Sequence, residues 1–246
     1  MGLKRGDTST NDVVGLEVWG DLACFTRPEM KIERFSYPVM SPAAARGILD
    51  AIYCKPAEFG WRVDRIEVLR PIRYIALRRN EVKEKVSVSL VRHAMKTGGE
   101  MPVIVADATK EMTGTDTRGR TQRQTMALAQ VHYRIHAHVC ARQGFAAKVS
   151  GFVEQMRRRI DAGKCFYQPY LGCREFPAFF GPVQADASPP QPIDLDLGFM
   201  VYDVFDLNEV KTDGYAKAKI SIFHARIDHG VLSVPPFESD AVRKVE

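Results

Sequence analysis

Cationic side chains stand beside two short glycine-bearing motifs of this 246-residue chain, Trp19-Gly20-Asp21 and Leu171-Gly172-Cys173-Arg174-Glu175. Three cations follow the first motif in an extended linker: Arg27, Lys31 and Arg34. A glycine-bearing turn exposes backbone N–H groups, and these bind phosphate well when an arginine stands beside them. The two motifs therefore predict a polyanion-binding surface. The alternative for the second motif is a structural turn with a surface pair between Arg174 and Glu175.

Three histidines alternate with apolar residues in a later segment: His132, His136 and His138. This spacing places them on one face of a strand. Because histidine titrates near neutrality, they could supply an acid, a base or metal ligands. The alternative is a row of polar residues on a partly exposed sheet face. The five cysteines form no C-x-x-C pair, which favours reduced thiols over a zinc site. The sequence therefore predicts no metal and no cofactor.

The net charge of +5 is concentrated in three basic clusters, which together indicate a nucleic-acid partner. The clusters are Arg78, Arg79, Lys83 and Lys85; Lys110, Arg118, Arg120 and Arg123; and Arg157, Arg158, Arg159 and Lys164. No apolar run is long enough to cross a membrane. The polar stretch Met1 to Asp12 has no signal-peptide core, so a cytoplasmic protein without a membrane partner is expected.

These side chains must be positioned by a small set of strands and helices. Ser41-Pro42 predicts a helix start, with serine as the N-cap and proline in the first turn, and Pro56 requires the helix to end near Cys54. Arg46 lies on an early turn of this helix and shares a face with Tyr53. A basic helix is predicted from Ser150 to Ala162. Alternation predicts strands at Val13 to Trp19, Trp61 to Leu69, Ile72 to Val82 and Val131 to Cys140.

The order of these elements is β-α-β-β-insertion-β-α, close to the split β-α-β plan of ferredoxin-like and RRM domains. We therefore predict an α+β fold with a first domain over residues 1–163. The insertion at about 83–130 is rich in glycine and threonine and is expected to be an extended hairpin or a mobile segment. Residues 164–246 are expected to form a small antiparallel unit, and residues 185–192 within it are expected to be a loop or linker. Its strands are predicted at Gly198 to Phe205 and Ala218 to Asp228.

Five segments together resemble, in the same order, the family-five CRISPR-associated RAMP protein of subtype I-C. They are Trp19-Gly20-Asp21, Phe25-Thr26-Arg27-Pro28-Glu29-Met30-Lys31, Ala44-Ala45-Arg46-Gly47-Ile48-Leu49, Arg78-Arg79-Asn80-Glu81-Val82 and Leu171-Gly172-Cys173-Arg174-Glu175-Phe176. The resemblance implies a modified ferredoxin-like domain followed by a small antiparallel sheet. It also implies a subunit of an RNA-guided surveillance complex.

In that complex, the resemblance implies that the chain holds the 5′ handle of CRISPR RNA and contacts the backbone and large subunits. Target DNA is a further candidate partner. The expected RNA-binding residues are Arg27, Lys31, Arg34, Arg46 and Arg174. The resemblance also implies cleavage of precursor CRISPR RNA at the base of the repeat hairpin, without metal. Members of the family are similar in using a tyrosine, a lysine and a histidine for this step.

The tyrosine of this set corresponds to Tyr53, in Ala51-Ile52-Tyr53-Cys54-Lys55-Pro56. Gly151-Phe152 stands where the family has Lys-His, and Lys148, three residues upstream, is the candidate lysine. The reaction needs a base for the ribose 2′-hydroxyl, a cation for the charged phosphorane and an acid for the leaving oxygen. The alternative role for Tyr53 is packing on the sheet. The alternative functions are a non-catalytic assembly and RNA-binding subunit, or a general double-stranded DNA-binding module.

Overall fold

The computed structural model describes residues 13–101, 103–184, 187–209 and 219–244 of the chain. The strands are β1 (Val13–Ala23), β2 (Arg34–Phe35), β3 (Phe59–Val68), β4 (Tyr74–Val82), β5 (Arg120–Ala141), β6 (Phe179–Pro182), β7 (Leu195–Asp203), β8 (Ser221–Asp228), β9 (Val231–Ser233) and β10 (Val242–Lys244). The helices are α1 (Pro42–Ile52), α2 (Val88–Thr97), α3 (Lys110–Thr113) and α4 (Val149–Asp161). Two compact units result, one from the chain up to Ile75 and from Met126 onward, and the other from Ala76–Thr125.

The larger unit is built on an antiparallel sheet with the order β10-β8-β9-β3-β5-β1-β6. Strands β2 and β4 also pair with β5, and β7 pairs with β8. The last strands continue this sheet, because Leu232 of β9 pairs with Ile66 of β3. The expected boundary at residue 163 therefore does not coincide with a boundary between the compact units. The fold is a mixed α/β arrangement around one large antiparallel sheet.

Alternation along β1 separates the two faces of this sheet. Val14, Leu16 and Val18 are fully buried, whereas Trp19 is 40% exposed. Helices α1 and α4 bury their apolar residues against the strands, among them Ile48, Leu49, Met156 and Ile160. The apolar face of β1 thus belongs to the core, and its other face presents larger polar and aromatic side chains.

Helix α1 begins and ends where its sequence predicts. The backbone N–H of Ala44 donates to Ser41 Oγ at 3.3 Å, and Pro42 occupies the first position, where no N–H is required. The helix ends at Tyr53, which has extended backbone angles while its N–H still donates to the carbonyl of Leu49. Tyr53 is therefore held at the end of a well-capped helix.

The smaller unit contains α2, α3 and the adjoining ends of β4 and β5. Helix α2 was not predicted, although Ser87 caps it and Gly98 ends it with a φ of 68°, a value that favours glycine. None of its residues is buried. Strand β5 begins at Arg120 rather than near residue 131. All four cations of the second basic cluster pair with carboxylates inside this unit: Lys110–Asp116, Arg118–Glu84, Arg120–Asp107 and Arg123–Glu81.

Parts of the sequence-based expectations fall outside the described residues. They include the polar stretch 1–12, residue 102 of the predicted insertion, positions 185–186 of the predicted loop, and residue 218 at the start of a predicted strand. Within the described ranges, no helix combines the length and the apolar character needed to cross a membrane.

Candidate functional site

The first candidate site lies where α1 ends against β3 and α4. The Tyr53 side chain is mostly buried, with its ring 5.3 Å from the ring of Phe59. Phe59 in turn stacks on Phe152 of α4 at 4.7 Å, and Trp61 Nε1 donates to the carbonyl of Tyr53 at 2.8 Å. The ring of Tyr53 is thus part of the core, which is the packing role considered above. A catalytic role of Tyr53 would depend on its hydroxyl rather than on its packed ring.

Arg159 of α4 lies over this tyrosine ring. Its guanidinium carbon lies 5.4 Å from the ring centre of Tyr53 and 4.4 Å from that of Phe166, which is 58% exposed. Its Nη1 donates to the carbonyl of Ile52 at 3.1 Å, whereas its buried Nε has no hydrogen-bond partner. A half-buried guanidinium between a tyrosine and an exposed aromatic ring can face an incoming phosphate.

Two lysines each lie over an aromatic ring of this unit: Lys148, the predicted lysine, and Lys55, two residues after Tyr53. Lys148 immediately precedes α4, with its Nζ 5.2 Å from the ring of Phe145, and no direct contact with Tyr53 is recorded among the described residues. Lys55 Nζ lies 5.9 Å from the ring of Phe152 and 3.0 Å from Glu58. The hydrogen bond to Glu58, and secondarily the nearby Tyr53, raise the pKa of Lys55. Lys55 is therefore a second cation available to a ligand at this end of α1.

The place expected for the Lys-His pair lies in the first turns of α4. Phe152 is buried there because its ring stacks on Phe59, and Gly151 has open space around its Cα. A histidine at position 152 would replace this ring–ring contact. The side chain at position 152 therefore contributes to core packing and supplies no imidazole.

The second candidate site is formed by the two glycine motifs, which meet although about 150 residues separate them. The backbone N–H of Cys24 donates to the carbonyl of Leu171 at 3.0 Å. Gly172 has a φ of 84°, and a Cβ there would lie 2.1 Å from the carbonyl oxygen of Cys24. Only glycine fits this position. The turn at 171–176 is therefore fixed against the chain that leaves β1.

Four of the five predicted RNA-binding residues lie on this linker or this turn. Lys31 and Arg174 are exposed. Arg34 donates to Glu175 at 3.1 Å and to Cys173 Sγ at 3.4 Å, and Arg27 lies over the ring of Tyr37 at 4.9 Å. We call this set, Arg27, Lys31, Arg34 and Arg174, the linker rim. The rim carries positive charge, but Glu175 neutralises part of it.

The fifth predicted residue, Arg46, lies apart from the linker rim. Its Nε donates to Asp203 Oδ2 at 2.6 Å, its Nη2 to Asp203 Oδ1 at 3.2 Å and its Nη1 to Asp50. Although burial opposes it, the two carboxylates raise the pKa of Arg46 above its ordinary value. Burial, together with Asp50, raises the pKa of the adjacent Cys54 to about 12. The guanidinium of Arg46 is therefore committed to a link between α1 and the end of β7.

Each of the three strand histidines is paired with a carboxylate. His132 lies 2.9 Å from Glu17, His136 lies 2.8 Å from Glu67 and His138 lies 2.7 Å from Asp64. Burial is the main cause that lowers the pKa of His132 and of His136. In the part of the chain that the structure describes, no group of three or more histidine, cysteine or acidic side chains could hold a metal.

The candidate residue that sequence reasoning missed is Arg159. It was counted in the third basic cluster, but nothing distinguished it from its neighbours Arg157 and Arg158. The signal was its spacing, because Arg159 comes seven residues after Phe152 and thus lies on the buried face of α4. An arginine on an apolar helix face requires a partner or a role.

Comparison with known proteins gives consistent results. The family described as "CRISPR-associated protein (Cas_Cas5)" matches residues 13–235. The chain is 39% identical over 243 residues to the "CRISPR pre-crRNA endoribonuclease Cas5d" of Mannheimia succiniciproducens, covering 94% of this chain and 98% of that protein. A protein with the same name from Thermus thermophilus is 36% identical, with coverages of 94% and 95%. A solved structure titled "Crystal Structure of CRISPR-associated Protein" has a TM-score of 0.59 at 19% identity, covering 94% and 96% of the two chains, and shares the fold.

Proposed function

Since this chain belongs to the Cas5 family of CRISPR-associated proteins, we propose that it binds CRISPR RNA within a type I-C surveillance complex and cleaves the precursor of that RNA. Two relatives that match over nearly their whole length are named as pre-crRNA endoribonucleases. The proposal includes a cytoplasmic location, contacts with the backbone and large subunits and, as a further partner, target DNA. The linker rim would hold the 5′ handle.

The proposal extends to the fold, which we infer to be ferredoxin-like. The chain order β1-α1-β3-β5-α4-β6 is combined with the sheet order β6-β1-β5-β3. The same combination, two β-α-β halves interleaved in one antiparallel sheet, defines the split β-α-β plan. In this arrangement Tyr53, at the end of α1, and Phe152, in the first turns of α4, both contact the ring of Phe59.

The observation that carries the catalytic proposal is the Arg159 guanidinium beside Tyr53. Cleavage proceeds by attack of the ribose 2′-oxygen on the adjacent phosphorus, with departure of the 5′-oxygen. Arg159 would stabilise the additional negative charge on the phosphorane oxygens. The Tyr53 hydroxyl would exchange a proton with the 2′-oxygen or the leaving oxygen. Lys55 is a further cation at this end of α1, and Lys148, which immediately precedes α4, stays the predicted lysine of the reaction.

The substitution Tyr53→Phe tests the catalytic role, because it keeps the ring that packs on Phe59 and removes only the hydroxyl. We expect cleavage of a labelled repeat RNA in EDTA to fall about 100-fold or more. Its dissociation constant should stay within about twofold. Tyr202→Phe is the matched control, since Tyr202 is also buried and its hydroxyl donates to the carbonyl of Pro235 at 3.0 Å. That variant should cleave at the rate of the original protein.

One observation favours the second candidate, a non-catalytic assembly and RNA-binding subunit. Phe152 occupies the place of an expected catalytic histidine and is packed in the core. If the original protein binds repeat RNA but leaves it intact over a long incubation, this second candidate replaces the first. Equal cleavage by the original protein and Tyr53→Phe would remove Tyr53 from the mechanism. Equal affinity of the original protein for repeat RNA and for random duplex DNA would favour a general double-stranded DNA-binding module.

A further inference from the structure

A row of three rings crosses the sheet on the face opposite to the apolar side of β1. Trp19 of β1 is in register with His132 of β5 on one side and with Phe179 of β6 on the other. These three strands are neighbours in the sheet. Because Leu16 and Val18 of β1 point into the core, Trp19 points away from it.

The geometry of the row leaves ring surface open to solvent. The Trp19 and Phe179 rings are 6.5 Å apart at 27°, and the His132 ring meets Trp19 edge-on at 5.8 Å. Trp19 is 40% exposed and Phe179 is 53% exposed. Large aromatic side chains that remain exposed side by side are typical of a binding surface. Burial lowers the pKa of His132, which favours the neutral form of its ring.

A cavity of about 410 Å³ adjoins this row. Besides Trp19 and His132, its polar lining comprises Glu17, Asp21, Arg70, Gln130 and Gln184. Glu17 is already neutralised by Arg134 at 2.8 Å and holds His132, so it contributes little free charge. Carboxylate and amide groups match the edge of a base, whereas a single arginine, Arg70, can reach a flanking phosphate.

Gln130 adds an independent sign that this pocket is built for a ligand. Its φ of 51° lies in the left-handed region, which is unfavourable for a residue with a side chain. Strained backbone of this kind is concentrated at ligand-binding positions, where the surrounding structure holds it in place. Here it occurs within β5, two residues before His132 and beside Asp21 of β1.

We propose that this pocket binds one unpaired nucleobase of single-stranded RNA, stacked on Trp19 and contacted at its edge by Gln130 and Asp21. The inference rests on the proposed function, since it requires that RNA reach this unit of the protein. It adds a third RNA contact surface, distinct from the linker rim and from the ring cluster at Tyr53. Stacking accepts any base, because every base has a π-face, so sequence preference would come from the polar edge contacts.

Tryptophan fluorescence can test this proposal selectively, because the chain has only two tryptophans. Trp61 is fully buried, so quenching by a stacked base would come from Trp19. The probe is an end-labelled single-stranded octacytidylate, titrated into the full chain. We expect saturable quenching, together with an increase in the anisotropy of the label. An abasic octamer with the same phosphates should bind more weakly and leave the emission unchanged.

Trp19→Ala should weaken octacytidylate binding about tenfold, whereas Trp19→Phe should lose less because a ring remains. The matched control is Phe199→Ala. Phe199 is 48% exposed and its ring meets His224 edge-on at 5.7 Å, but it lies on β7, outside the pocket. That variant should bind like the original protein. Thermal unfolding of each variant shows whether the folded fraction is comparable.

The inference would be overturned if Trp19→Ala and the original protein bound octacytidylate with equal affinity, or if the abasic and normal octamers bound equally well. The pocket would then be a candidate contact for a protein partner instead. Failure of the proposed catalysis would look different. Octacytidylate would then still quench Trp19, both in the original protein and in Tyr53→Phe, while repeat RNA would remain uncut.

Discussion

Arg46 belongs to α1 and Arg159 of α4 lies against the end of α1, and the two differ in what surrounds their charge. Arg46, in the first half of the helix, is held by Asp203 and Asp50. Arg159 lies against the last turn, where it donates to the carbonyl of Ile52 and otherwise faces the rings of Tyr53 and Phe166. The charge of Arg46 is therefore compensated by two carboxylates, whereas Arg159 has no carboxylate partner among the described residues and lies beside the exposed ring of Phe166.

This difference separates structural cations from cations available to RNA. The charge of a buried arginine with two carboxylate partners is already compensated, so the arginine binds a phosphate strongly only if an ion pair breaks, and breaking it is costly. Arg159, packed on rings, has no carboxylate partner in the part of the chain that the structure describes, and its Nη1 donates to the neutral carbonyl of Ile52. The comparison predicts that replacing Arg46 affects folding, whereas replacing Arg159 affects the reaction.

The largest effect is expected for Arg46→Ala, because it leaves Asp203, which is almost fully buried, without its cation. We expect the free energy of unfolding to fall by about 3 kcal/mol, measured by urea denaturation. Arg226→Ala is the control. Its ion pair with Asp228 at 2.7 Å is exposed, so the loss should stay below about 0.5 kcal/mol. If Arg46→Ala retains full stability but loses RNA binding, the result supports the predicted role of Arg46 in RNA binding.

The next largest effect is expected for Arg159→Ala, measured as the rate of repeat-RNA cleavage with the enzyme in excess. Loss of one preorganised donor to the transition state should lower this rate about 100-fold, with a much smaller change in affinity. Arg158→Ala is the matched control, since Arg158 is the preceding residue on α4 and its exposed side chain donates to Gln155. A parallel loss of unfolding free energy and rate in Arg159→Ala would instead assign Arg159 to packing.

The sequence predicted local structure better than it predicted partners. Ser41-Pro42 and Pro56 delimited α1, and alternation located β1 and β3, because these signals act within a few residues. The five segments predicted the family, and the match of the family model to residues 13–235 confirmed it. The ion pair of Arg46 with Asp203 could not be predicted from the sequence, because Asp203 lies 157 residues away along the chain. The same holds for Gly172, whose necessity depends on the carbonyl of Cys24.

The smallest effects are expected at the linker rim, where the same contrast between paired and unpaired cations recurs. Lys31 and Arg174 are exposed, and no ion pair is recorded for either among the described residues, whereas Arg34 is paired with Glu175. If the rim holds RNA phosphates, Lys31→Ala and Arg174→Ala should each weaken binding of single-stranded handle RNA a few-fold.

Each of these two variants should also lower the slope of log affinity against log salt by about 0.7, since one phosphate contact is lost. Arg34→Ala should change the slope less, because Glu175 already offsets its charge and would be released by the substitution. Binding isotherms at several salt concentrations measure these slopes. Identical slopes for the original protein, Lys31→Ala and Arg174→Ala would show that the rim does not contact phosphate. A larger change for Arg34→Ala than for Arg174→Ala would show that internal pairing does not determine which cations reach RNA.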